Sequence, residues 1–179
     1  MGKDGGKNGY NKWNYLKKRN PKVKTMVAIG GWNEGSVKYS KVVGDPSLRK
    51  KFVENVVSFV KKYNFDGFDF DWEYPNQRGG KFADKKNYVE TLKLMRERFD
   101  QEGLILSAAV GAAEVSASQS YLIAEIAKYL HFINLMTYDF HGQWDRRTGI
   151  NAPLYPRKEE VGAERKLNVV SLLVIDNTK

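Results

Sequence analysis

The chain has 179 residues, 41% hydrophobic and 28% charged, with no cysteine and a formal net charge of +9. That length suits one domain with a sizeable core; the longest apolar runs fall well short of the roughly 18 residues of a membrane span, and zero cysteine excludes disulfides, thiolate metal sites and cysteine nucleophiles in this chain. Residues 1–25 hold eight basic side chains (Lys3, Lys7, Lys12, Lys17, Lys18, Arg19, Lys22, Lys24) against one acid, Asp4, so the excess charge is a terminal feature, read as a solvated basic arm rather than a nucleic-acid footprint.

In chain order, residues 1–21 read as a basic segment with a first helix, and the first twenty-five residues contain no apolar h-region, so no secretory signal is expected in this chain. Residues 22–155 then alternate strand and helix. Lys24–Ile29 is a short apolar run closed by Gly30-Gly31, a buried strand with its exit turn. Asp45-Pro46 opens a helix, the aspartate as N-cap and the proline at the first helical position, with Leu48, Phe52, Val56, Phe59/Val60 and Tyr63 as its apolar stripe. Phe65 to Tyr74 is an aromatic and acidic strand. A helix starting near Asp84 turns Tyr88, Leu92, Met95 and Phe99 inward. Leu104–Val110 is a third strand, Tyr121, Ala124, Ala127 and Leu130 mark a shorter third helix, and Phe132–Tyr138 is a fourth strand. Such an order predicts an α/β fold with right-handed crossovers and a parallel sheet.

Within the second strand Asp69, Asp71 and Glu73 alternate with Phe68, Phe70 and Trp72, so three carboxylates share one face and three large aromatics the other. In a doubly wound sheet helices cover both faces, and an acidic row beneath a helix carries a large desolvation cost. A (β/α)8 barrel suits the row better, because one face looks inward and opens to water at the C-terminal mouth. Four of eight strands are visible, so the chain reads as an incomplete TIM barrel. Carboxylates at this spacing cannot all ionise freely, so one should hold its proton to higher pH, and Glu73, last in the row, is the best candidate for a proton donor. From the pattern alone a divalent-metal site with oxygen ligands stays open beside a catalytic acid. His131 and His141 lack a third ligand and support no metal site.

The run DGFDFDWEYP, Asp66 to Pro75, resembles the DxxDxDxE signature of glycoside hydrolase family 18, the chitinases, its four positions falling on Asp66, Asp69, Asp71 and Glu73. AIGGWN at Ala28–Asn33 and MTYDFHG at Met136–Gly142 resemble the same family in the right order, and WNEGS and the run to HGQWD are most similar to insect-type chitinases. The resemblance spans roughly residues 7–168, which makes the chain a partial catalytic domain.

It implies hydrolysis of β-1,4-linked N-acetylglucosamine polymers with retention, the substrate's acetamido group serving as nucleophile. On that basis Glu73 is the acid and then the base, Asp71 orients the acetamido group, and Asp69 sits deeper and pairs with Asp71. Tyr138 donates its hydroxyl to the acetamido carbonyl. Asp139 has the wrong parity for the inner face, so a strand end or bulge is expected there, ordinary strand-end polarity being the alternative. Asp66, of opposite parity and ahead of Gly67, has a turn or capping role. Gly30, Gly31, Trp32, Asn33, Tyr74, Met136 and Thr137 match the family's substrate contacts, while for Trp144 the match is to its loop, and a core-capping aromatic is the alternative. The family's serine in the first motif is Ala28 here. The remaining barrel strands and the floor tryptophan of the last strand have no counterpart.

After KLNV at Lys166–Val169 the wording leaves the family, so residues 156–179 are set apart, with an apolar run, Val169–Ile175, that would be sticky if exposed. The resemblance implies no cofactor and no metal, chitin or chitooligosaccharides as partners, no nucleic acid, no membrane, and an extracellular location. A chitin-binding protein that has lost activity, or an inactive fragment, is the alternative.

Overall fold

The computed structural model describes residues 8–173. Two short helices, α1 (Gly9–Asn14) and α2 (Leu16–Arg19), lead into strand β1 (Met26–Gly30). Helices α3 (Val37–Gly44) and α4 (Pro46–Lys62) carry the chain to β2 (Gly67–Asp71), and α5 (Asp84–Glu102) carries it to β3 (Ile105–Gly111). Two short helices, α6 (Glu114–Ser120) and α7 (Ile123–Ile126), precede β4 (Phe132–Met136), and α8 (Val169–Leu173) follows. The four strands are parallel and pair in chain order. With helical crossovers on one side, this is part of a (β/α) barrel, as expected.

Register and pleat divide the sheet into two chemistries. Phe68 and Phe70 point into the helix layer, where they pack with Val53, Val56, Val57 and Val60 of α4 and with Tyr88, Leu92, Met95 and Phe99 of α5. The four α5 residues are the stripe read from the sequence, and all are fully buried, each contributing about 1.5–3 kcal/mol of transfer free energy. The opposite face sets Ala28, Asp69 and Ser107 side by side in register.

Helix α4 begins as its sequence dictates: Asp45 Oδ1 accepts from the amides of Ser47 (2.8 Å) and Leu48 (3.0 Å), with Pro46 in the first turn. Its buried side is wider than the predicted stripe. Val53 and Val57 join Val56 and Val60 against the sheet, while Phe52, Phe59 and Tyr63 are half-buried on the flank. The N-terminal helices use that flank. Tyr10 meets Phe59 and Phe65 edge-on at 5.6 and 5.7 Å between centroids, and Asn14 donates to the Tyr63 carbonyl at 2.7 Å. Asp66 joins this corner, accepting the Thr25 amide at 2.7 Å and sitting 2.9 Å from Lys17 Nζ. Its partial burial works to raise its pKa, but the Thr25 amide and the Lys17 ammonium outweigh that and hold it below the ordinary carboxylate value.

Two expectations are corrected. The single third helix is two, because Tyr121 is extended (φ −124°, ψ 153°) and separates α6 from α7. Tyr121 and Leu130 are buried as expected, together with Ile126, whereas Ala124 and Ala127 face solvent. The second strand is also shorter than Phe65–Tyr74: pairing stops at Asp71, so Glu73 lies beyond the ladder. Of the apolar run from Val169, Leu172 in α8 is buried against Ala112 and Phe140; from residue 174 onward the run lies outside the described residues.

Candidate active site

The exit of β2 is held from the helix layer. Trp72 is fully buried, and its indole N–H donates to Ser36 Oγ at 2.9 Å while that hydroxyl donates to the Tyr74 carbonyl at 2.8 Å. Tyr121 donates its phenol O–H to the Trp72 carbonyl at 3.1 Å. The Glu73–Tyr74 peptide bond is cis. The three hydrogen bonds to Ser36, the Tyr74 carbonyl and the Trp72 carbonyl fix the backbone that carries Glu73 from the inner row to the mouth of the sheet.

Glycine at position 30 is a steric requirement. Gly30 pairs in register with Asp71 and has φ +122°, and a Cβ there would lie 1.7 Å from the Asp71 carbonyl oxygen. Gly31 then donates its amide to that same oxygen at 2.8 Å. The two glycines therefore act on the Asp71 backbone, and neither lines the cleft described next. At β3, a Cβ on Gly111 would stand 3.2 Å from Tyr74 Cε1, so this glycine leaves room for the Tyr74 ring.

A cleft of about 660 Å³ opens at the C-terminal ends of the strands, lined among others by Trp32, Asp71, Glu73, Tyr74, Met136, Tyr138, Asp139 and Trp144. Eight of the residues singled out from the sequence thus converge on one concavity. Asp69, Gly30, Gly31, Asn33 and Thr137 are outside its lining. Asp139 reaches it because β4 ends at Met136 and Asp139 takes a left-handed backbone (φ 55°), the strand end that its parity required. Asn151 donates to Asp139 Oδ1 at 2.8 Å. Gly111, Ala112, Ala113, Ser116, Phe140 and Gln143 complete the lining. Sequence reasoning passed over them, although Gly111 ends β3 and Ala112 and Ala113 follow it, at the level where Trp32 and Tyr74 follow β1 and β2.

The acidic row differs in detail from the pairing expected of it. Asp69 Oδ1 accepts from Ser107 Oγ and from Asn134 Nδ2 (2.9 Å), and among the described residues no hydrogen bond joins it to Asp71. Asp71 Oδ1 is buried with no hydrogen-bond partner. Burial first, then the charges of Glu73 and Asp69, push the Asp71 carboxyl up to about 6. The carboxyl in the middle of the row is thus one that holds its proton to higher pH. Tyr138 is raised above the ordinary phenol value by burial and then by Asp71, Glu73 and Asp139, and Tyr74 is pushed up to about 12 by burial and then by Glu73. Both phenols therefore stay protonated donors beside the carboxyls.

Trp32 and Tyr74 meet edge-on at 6.4 Å between centroids, and Trp32, Tyr138 and Trp144 are all more than half exposed. Of the two histidines, His131 accepts the Leu106 amide on Nδ1 at 3.0 Å, and His141 Nδ1 lies 3.2 Å from Asp145 Oδ2.

The family model for glycosyl hydrolases family 18 matches residues 2–174. The chain belongs to this family. It is 52% identical over 149 residues to a protein described as probable chitinase 2 of Drosophila melanogaster, which covers 83% of the chain and 31% of the relative. Among solved structures, the group IV chitinase of Ostrinia furnacalis in complex with allosamidin superposes with a TM-score of 0.90 at 41% identity, over 95% of this chain and 46% of that one. Human YKL-39, described as a pseudo-chitinase with retained chitooligosaccharide binding, superposes with a TM-score of 0.83 at 31% identity, over 92% and 46%. The chain therefore spans less than half the length of these relatives.

Proposed function

We propose that the cleft binds chitin and chitooligosaccharides and cleaves their β-1,4 linkages with retention, the substrate's acetamido group acting as nucleophile. The observation that carries this reading is the convergence, in one cleft of a family 18 chain, of Asp71, Glu73, Tyr138 and Asp139 with the aromatic rings of Trp32, Tyr74 and Trp144. Aromatic faces suit pyranose rings, and a carboxyl and a phenol side by side suit an acetamido group, which offers one N–H and one carbonyl.

In the first step Glu73 gives its proton to the glycosidic oxygen as the bond from that oxygen to C1 breaks. The acetamido carbonyl oxygen closes on C1 from the opposite side, and the positive charge passes into the oxazolinium ring. Asp71 as carboxylate accepts the acetamido N–H, supplying the partner that its Oδ1 lacks, and Tyr138 donates to the acetamido oxygen. In the second step the Glu73 carboxylate takes a proton from water, which attacks C1 and reopens the ring with net retention. Asp69, bonded to Ser107 and Asn134, supplies negative charge beneath Asp71 that helps raise it. Met136 and Asp139 complete the contact surface for the sugar chain from the cleft lining. Gly30 and Gly31 act through the Asp71 backbone that they pack against and hydrogen-bond. An extracellular, chitin-bearing setting goes with this reading.

Release of a fluorescent leaving group from a chitooligosaccharide glycoside tests it, with Glu73→Gln as control. Turnover that falls at least about 100-fold in the variant supports general acid catalysis by Glu73. A second reading, chitooligosaccharide binding without hydrolysis, draws on the relationship to YKL-39 and on a sheet of four described strands where a closed barrel has eight. Saturable oligosaccharide binding with no turnover in either protein selects that reading. Absence of both binding and turnover in a folded chain overturns the two together.

A further inference from the structure

Arg78 belongs to none of the motifs above, yet it touches two of the loops that build the cleft. Its guanidinium carbon lies 3.6 Å from the Trp32 ring centroid. One nitrogen, Nη1, donates to the Trp32 carbonyl at 2.6 Å and to the Glu73 carbonyl at 3.1 Å. The Arg78 carbonyl in turn accepts the Ser36 amide at 3.3 Å, close to the serine that holds Trp72. Arg78 has a left-handed backbone (φ 52°), and Gly79 after it has φ 91°. That turn is secured from below by the buried carboxyl of Asp84, which accepts the amides of Lys81 and Asn76.

The guanidinium thus lies over one face of the Trp32 ring, and Trp32 lines the cleft. Even with the guanidinium against it, Trp32 remains 57% exposed as a residue. We propose that Arg78 is a positioning residue for the sugar site: it backs Trp32 so that the free face stands ready to stack on a pyranose ring, and it fixes the spacing between that platform and the main chain of Glu73. This rests on the reading of the cleft as a chitooligosaccharide site. The planar guanidinium is suited to both tasks, since it stacks on the indole while its N–H groups reach two carbonyls in the ring's vicinity; a lysine ammonium can keep the charge but not the stacked plane.

Two measurements decide the matter. In the chain labelled with 5-fluorotryptophan, Arg78→Ala shifts and narrows the Trp32 fluorine resonance, Arg78→Lys moves it part of the way, and the fully buried Trp72 stays in place as the sign of an intact fold. A Trp32 resonance that does not move overturns the clamp. In chitohexaose binding, Arg78→Ala weakens affinity by about 3- to 5-fold, the size of an exposed cation–π contact. In a Trp32→Ala background the same substitution has no further effect, because the two act as one unit. Additive losses overturn the coupling. A folded chain that binds no chitohexaose overturns the sugar reading and with it the role of Arg78 in binding, while the fluorine shift still decides whether Arg78 holds the indole.

Discussion

Asp71 carries the sharpest electrostatic conflict in the cleft, and its lateral neighbours explain why. Asp69 stands beside Ser107 in register and finds hydrogen-bond donors in Ser107 and Asn134. Asp71 stands beside Gly30, which has no side chain to donate, and its Oδ1 goes without a partner. Above its raised pKa of about 6, the folded chain must hold this carboxylate near those of Glu73 and Asp69. A raised carboxyl adds to stability below its unfolded value and loses that contribution as pH rises through the folded one. Asp71→Asn therefore melts close to the parent chain near pH 4, becomes the more stable protein as pH rises from 4 to 6, and keeps that margin above 6. Discounted for solvent screening, the gain is about 1 kcal/mol, or about 2–4 °C in Tm at this chain length. Thermal melts of both proteins from pH 4 to 8 check this; a difference that is flat with pH, or that shrinks as pH rises, contradicts the assignment. Strand parity alone made the acidic row legible and required one of its carboxyls to shift. Which one shifts depends on what adjacent strands place beside each acid, and a single strand's sequence does not contain that.

At the scale of elements, long segments with a strong period were legible and short ones were not. Helix α5 shows its face at Tyr88, Leu92, Met95 and Phe99, and α4 announces its start at Asp45-Pro46. Helix α3 escaped notice because its eight residues include β-branched Val37, Val42 and Val43 and a terminal glycine, and because Ser40, a polar residue, takes a core position. Ser40 is there for Asp84. Its hydroxyl donates to Asp84 Oδ1 at 2.7 Å, while the Lys81 and Asn76 amides donate to Oδ2 at 2.7 and 3.3 Å. Asp84 is the first residue of α5, yet its carboxyl reaches back to the loop that runs from the cleft, leaving the helix without a side-chain cap. Asp84→Ala leaves three donors short of a partner at a buried site, at a cost of about 3 kcal/mol, which lowers Tm by about 10 °C. Asp84→Asn retains an acceptor and loses less. Chemical denaturation of the three proteins checks the order, and equal midpoints count against the anchor.

Over the whole molecule, charge and chemistry are separated. The basic excess lies in the N-terminal segment, where Lys17 is engaged by Asp66 at the N-terminal end of β2. The cleft is at the other end of the sheet and is lined by acids, phenols and indoles. A site of that kind suits a neutral polymer rich in N–H, O–H and C–H groups; a polyanion would meet Asp71, Glu73 and Asp139 with like charge. The proposed ligand carries no charge, so its binding releases no counterions. The expected dissociation constant of chitohexaose accordingly changes by less than about twofold between 50 and 500 mM NaCl, whereas a polyanion bound through several lysines would lose orders of magnitude over that range. Titration calorimetry at the two salt concentrations, with a single-stranded oligonucleotide as comparison ligand, separates these cases. Salt-insensitive hexaose binding, with oligonucleotide binding absent or abolished by salt, fits recognition by hydrogen bonds and aromatic faces. A steep fall in hexaose affinity with salt would mean that the net charge of +9 takes part in recognition, and that the separation of the basic end from the cleft does not hold in function.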